Sequence, residues 1–146
     1  MTYLNLMEEL IELRQHIEAH DYDKALELVA DLEEMSKDDK LNKIYTDGIV
    51  LLVHLIKQQA EKRSTRSWEF SIYNAVEGIQ RVNRRRKAGG TYANQSELAD
   101  LLVDGFEIAI RKAALEAFEG QYSDQELRAM VDPEDIQTQA LELIQR

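Results

Sequence analysis

Apolar residues recur along this chain at the spacing of an α-helix, and alternation at the spacing of a strand is nowhere sustained. Leu6, Leu10, Leu13 and Ile17 form one stripe, with Met7 and Ile11 beside it and acids on the other side, so a helix is expected over 3–19. Asp21 is placed to cap a second helix over 22–35, whose stripe is Tyr22, Ala25, Leu26, Val29, Leu32 and Met35. The two read as a tight antiparallel hairpin with Glu8, Glu9, Glu12, Glu18, Asp31, Glu33 and Glu34 on a solvated outer face. Ser36 is expected to cap a third helix over 37–61. Its run IVLLVHLI, residues 49–56, is apolar on all sides and so belongs at the centre of a bundle.

The segment KRSTR, residues 62–66, breaks the pattern before a fourth helix, with Ser64 or Ser67 as its cap. Trp68, Ile72, Ala75, Val76, Ile79 and Val82 mark the inner stripe of that helix. Arg81 and Arg84 to Arg86 load its last turn with charge that suits the helix dipole, and Gly89-Gly90 is expected to end it. A fifth helix over 94–119, closed by Gly120, carries Leu98, Leu102, Phe106, Ile110, Ala113, Ala114 and Ala117 on one side. Leu101, Ile108, Leu115 and Phe118 widen that side. The capping box of Ser123 with Glu126 starts a short helix, and Asp132-Pro133 starts the last, which carries Ile136, Ala140, Leu141 and Ile144. The expected fold is all-α: one domain over 1–146, a bundle of about five to seven helices with those near 37–61 and 94–119 central.

Composition agrees with a water-facing globular protein, with 44% hydrophobic and 32% charged residues. One Pro and six Gly leave little punctuation for a strand-and-turn fold. With no Cys, disulfides, zinc–thiolate sites and thiol catalysis are excluded. No segment reaches the roughly 18 consecutive apolar residues of a membrane span, and no basic-then-apolar leader opens the chain, so a cytoplasmic protein without a membrane partner is expected. The net charge of −10 is unevenly spread. From Lys57 to Lys87 nine bases face three acids, a segment of +6 inside a chain otherwise at −16.

The stretch Val50–Ile72 holds an apolar helix with an embedded His54, a basic loop at Lys62-Arg63-Ser64, and Ser67-Trp68 at the next helix start. An acidic helix with Leu32-Glu33-Glu34 precedes it. In this it resembles the bacterial, largely cyanobacterial, domain-of-unknown-function family 29, over roughly residues 20 to 85. This loop lacks the Pro usual in that family. The resemblance implies an all-helical domain and no particular activity.

Chemistry is sparse. His54 is a candidate base or ligand, yet no partnered nucleophile or second His is near in sequence, which favours a core histidine. His16 and His20 share a helical face, but a lone H-x-x-x-H lacks further ligands, and no metal site or cofactor is expected. Arg63, Arg66, Ser67 and Trp68 at a helix start would suit an anion, with Trp68 stacking on a base. The competing roles are ion pairs to the chain's own acids and a core anchor. Arg81, Arg84, Arg85, Arg86 and Lys87 form the densest basic patch, a possible ground for nucleic acid, which the surrounding acidity opposes. Phosphate-loop, dinucleotide, metalloprotease and nucleophile-elbow signatures are all missing. The leading expectation is therefore a non-enzymatic interaction module with an acidic and a basic face that binds protein, a second copy of itself included. Behind it stand a nucleic-acid-binding regulator using the Arg81–Lys87 patch and a hydrolase using His54 with Arg63.

Overall fold

The structure is a computed structural model that describes residues 3–85 and 89–146. Six α-helices account for most of these: α1 (Tyr3–Glu18), α2 (Tyr22–Glu61), α3 (Arg66–Asn83), α4 (Gln95–Glu116), α5 (Asp124–Ala129) and α6 (Pro133–Gln145). A 3-10 turn, Ala117–Gly120, follows α4. The all-α expectation is met. The break expected at Ser36 is not there, and α2 runs unbroken for 40 residues. A lone Ser can cap a helix but does not stop one; without Gly or Pro nearby, the segment MSKDD propagates. By its contacts the chain divides into two units, residues 1–39 and 40–146.

The first unit pairs α1 with the first part of α2. Its turn is a Schellman closure: the Asp21 N–H donates to the His16 carbonyl at 2.9 Å and the His20 N–H to that of Ile17 at 3.1 Å. His20 takes the left-handed position at φ 59°, where Gly is more usual. Asp21 caps the next helix as expected, its Oδ1 accepting the Lys24 N–H at 3.3 Å.

The second unit holds the hydrophobic core. Leu51, Leu52, Leu55 and Ile56 of α2 pack with Ile79 of α3, Phe106 and Ile110 of α4, Leu127 of α5, and Ile136 and Ile144 of α6. Each such side chain removed from water contributes about 1.5–3 kcal/mol. Glycines let the helices come close: a Cβ on Gly105 would sit 3.1 Å from Ile49, and one on Gly78 would sit 2.8 Å from the Asp47 carboxylate. The side expected to widen the buried stripe of α4 is only partly covered. Leu101 and Phe118 are half-buried, whereas Ile108 and Leu115 are exposed.

Caps explain most of the remaining boundaries. The capping boxes at Asn94–Glu97 and Ser123–Glu126 are both complete, and the Asp132 side chain accepts the Asp135 N–H with Pro133 at the first helical position. The cap of α3 is Thr65, neither Ser64 nor Ser67; its hydroxyl accepts the Trp68 N–H at 3.1 Å. Beyond α4 the backbone is left-handed at Phe118 (φ 51°) and Glu119 (φ 57°), which costs about 1–2 kcal/mol per residue. Glu61 offsets part of that cost. Its carboxylate accepts the Phe118 N–H at 3.3 Å and the Arg63 guanidinium at 3.0 Å.

Candidate functional site

The residues singled out from sequence fall into three places. His54 keeps to its own helix, its Nδ1 2.8 Å from the Val50 carbonyl, and it is part-buried at the edge of the core. Among the described contacts none joins it to Arg63 or Trp68. The bond to the preceding turn fixes the ring as a structural histidine would be fixed.

Arg63 and Trp68 do come together, with a third member that the sequence had hidden. Lys57 is only 7% exposed, directly after the apolar run of α2. Its ammonium lies 4.8 Å from the centroid of the Trp68 ring, and the Arg63 guanidinium also lies 4.8 Å from it. A cation over an indole face gains about 0.5–2 kcal/mol, more as water is excluded. Arg63 is held in turn by Glu61, whose side chain is 10% exposed. Trp68 is thus half-buried and its ring engaged by two cations, which makes it an anchor between α2 and α3 and not a stacking platform. Arg66 and Ser67 point to solvent at the start of α3. The signal for Lys57 lay in its surroundings: a Lys between Ile56 and Ala60 must find a partner, and the nearest indole in sequence is Trp68.

The basic patch is not a helix end. α3 stops at Asn83, and Arg84 is extended (ψ 126°) and bridges to Thr91. The Arg85 N–H donates to the Gly90 carbonyl at 3.1 Å. Gly89 and Gly90, at φ 74° and 71°, therefore turn this loop and do not close α3. Only Arg81 belongs to the last turn of the helix, paired with Glu77. Arg86 and Lys87 lie outside the described residues. The loop is pinned by Asn83, 5% exposed, which donates to the Ala93 carbonyl at 3.1 Å and accepts the Ala93 N–H at 2.7 Å. Arg84 borders a cleft of about 530 Å³ with Gln80, Thr91, Gln95 and Arg146.

Two surfaces were missed. On α3, Arg66, Phe70, Tyr73, Glu77 and Arg81 fall within roughly an 80° arc at 100° per residue. Phe70 and Tyr73 are each 65% exposed on that arc. They sit opposite the inner stripe of Ile72, Ala75, Ile79 and Val82, so the register itself carried the signal.

The second surface is the first unit, where Glu9, Leu13 and His16 take the partly covered side of α1 and much of the expected stripe is left open. Leu6, Met7, Leu10, Ile11 and Ile17 of α1 are exposed, and Leu26 of α2 is 66% exposed. Glu9 and Glu12 of α1 border an open cleft of about 520 Å³, across from Leu28, Asp31, Glu34, Met35 and Asp38 of α2. Glu9 even buries one carboxylate oxygen without a hydrogen-bond partner. Among the described side chains of this unit, only Ala25 is buried. Glu8, Glu12, Glu18, Asp31, Glu33 and Glu34 are exposed as expected and Glu9 is half-buried; of the expected stripes, Leu13, Val29, Leu32 and Met35 are half-buried, while Leu6, Leu10 and Ile17 lie open to water.

His16 bonds to Glu12 at 3.3 Å and His20 to the Tyr22 hydroxyl at 3.0 Å, so the two histidines do not converge. Among the described residues no group of three His, Asp or Glu is arranged to hold a metal ion. No helix of the described residues is long and apolar enough to cross a membrane. Comparison with protein-family models, with curated proteins and with solved structures gave no match.

Proposed function

We propose that this chain is a non-enzymatic protein–protein interaction module whose docking element is the first unit. The observation that carries the reading is the exposed apolar stripe of α1, five large side chains wide, on a hairpin whose only buried described side chain is Ala25. A two-helix hairpin becomes stable by burying an apolar face against another layer, and solvent offers none. Exposed apolar patches of this extent mark association surfaces. The unit also carries twelve acids against three bases over residues 1–39, a net charge of −9. Such a field selects a basic partner surface and speeds its encounter. The resemblance to domain-of-unknown-function family 29 adds no activity to this reading.

The test compares the immobilised chain with its Leu10→Glu/Ile17→Glu variant, which places charge in the stripe at helix positions that are already exposed. At about 0.15 M salt, near the ionic strength of cells, the wild type should retain a protein that the variant loses by an order of magnitude or more. Helicity should be unchanged. Equal retention by both chains contradicts the proposal. A second arm titrates labelled single-stranded RNA and duplex DNA. Binding that collapses between about 50 and 200 mM salt would assign the chain to nucleic acid instead.

A further inference from the structure

The first unit and the outer face of α3 are complementary in both apolar and charged character. The first unit offers aliphatic side chains, Leu10, Ile11 and Ile17 among them at 45–54% exposure, under its net charge of −9. The α3 face offers Phe70 and Tyr73 between Arg66 and Arg81, with Lys62 and Arg63 before its first turn and Arg84 and Arg85 beyond its last. Aromatic residues and arginine are the side chains that most often dominate interface energetics. Aliphatic side chains laid on exposed rings, ringed by opposite charges, would form an apolar centre with a polar rim.

We propose that a second copy of this chain is the partner, with the first unit of one molecule docking on the α3 face of the other. The inference rests on the interaction reading above and names its partner. Charge decides between the two ways a second copy could cover the stripe. Pairing α1 with α1 of the other copy would bring two surfaces of −9 together, and like charges across an interface cost several kcal/mol. Pairing with α3 sets that charge against the basic segment from Lys62 to Lys87, which holds eight bases and two acids. The contact is heterologous, since it uses a different surface on each molecule. It therefore either closes as a reciprocal pair or continues from molecule to molecule.

Heterology gives the experiment its discriminating power. The purified wild-type chain should sediment above its monomer mass at tens of micromolar in low salt and shift toward monomer as salt screens the charges. Two variants, Leu10→Glu/Ile17→Glu in the first unit and Phe70→Ser/Tyr73→Ser on α3, should each be monomeric, with circular dichroism showing that each remains helical. Mixed at equal concentration, they should recover a species of twice the chain mass and nothing larger. The intact first unit of one variant meets the intact α3 face of the other, and the remaining surfaces are broken. A wild-type monomer at every concentration and salt overturns the inference. So does an α3 variant that still self-associates, which would assign the contact to α1 alone, and so does a mixture that stays monomeric. A monomeric wild type that still retains another protein through its α1 stripe would overturn the self-partner inference while leaving the interaction reading standing.

Discussion

Replacing Trp68 with Leu is expected to lower stability by about 2–4 kcal/mol, from the lost contact area of a half-buried indole and the lost ring beneath a buried cation. For a domain of this size that is a fall of roughly 8–15 °C in Tm. Lys57 sets the size of the effect. The residue is 7% exposed, and its ammonium lies 4.8 Å from the centroid of the Trp68 ring. Leu restores some apolar volume and leaves the charge without a π face, so removing the charge should repair part of the damage. Lys57→Met is accordingly expected to cost the wild type less than about 1 kcal/mol and to return about 1–2 kcal/mol in the Trp68→Leu background. Thermal melts of the four proteins measure the coupling. A Trp68→Leu shift under about 3 °C, or a Lys57→Met effect that is the same in both backgrounds, contradicts the anchor role.

Asn83→Ala should be the second most damaging of the changes considered, by about 2–3 kcal/mol. Asn83 and Ala93 are 5% and 1% exposed, and the side chain of one makes two hydrogen bonds to the backbone of the other. Each buried hydrogen bond contributes about 1 kcal/mol net, and an abandoned buried N–H costs a further 1–3 kcal/mol. The Ala93 carbonyl keeps the Thr91 hydroxyl at 2.8 Å, so the orphaned group would be the N–H. Because the loop carrying Arg84 and Arg85 is closed by these bonds, its amides should exchange with solvent much faster in the variant while those of Leu51–Ile56 follow only the global loss. Asn83→Asp keeps the acceptor for the Ala93 N–H but turns a second oxygen toward the Ala93 carbonyl, so it should not rescue. Unchanged exchange at 84–93 would show that the loop is held by something else.

Local chemistry was the most legible part of this chain. Ser123 with Glu126, Asp132 with Pro133 and Asp21 before α2 were readable as caps because each is a short-range hydrogen bond written in two or three residues. Where several candidates stood together, as at Ser64, Thr65 and Ser67, composition did not choose among them; the hydroxyl of Thr65 is the one within reach of the Trp68 N–H. The buried centre of α2 followed from its unbroken apolar run. Periodicity failed differently in α1. A stripe states which residues share a face and is silent about which face is covered, and here Glu9, Leu13 and His16 take the partly covered side of α1 while Leu6, Leu10 and Ile17 stay open. Phe70 and Tyr73 were legible in principle, being out of register with the inner stripe of α3. Lys57 was hidden because its compensation comes from a ring eleven residues away, across a break between helices.

The exposed apolar stripe of the first unit is the feature on which the functional account depends. A hairpin that buries little of its own apolar surface should open readily when nothing covers it, whereas the core of the second unit should open only with global unfolding. Native-state hydrogen exchange of the purified chain, at a concentration where sedimentation finds monomer, tests this directly. The account predicts weak protection for the amides of Leu10–Glu18, with opening free energies of about 0–2 kcal/mol, beside full protection at Leu51–Ile56. Amides in α1 as protected as those of α2 in a demonstrated monomer would mean that the hairpin is stable without a partner, and would contradict the account.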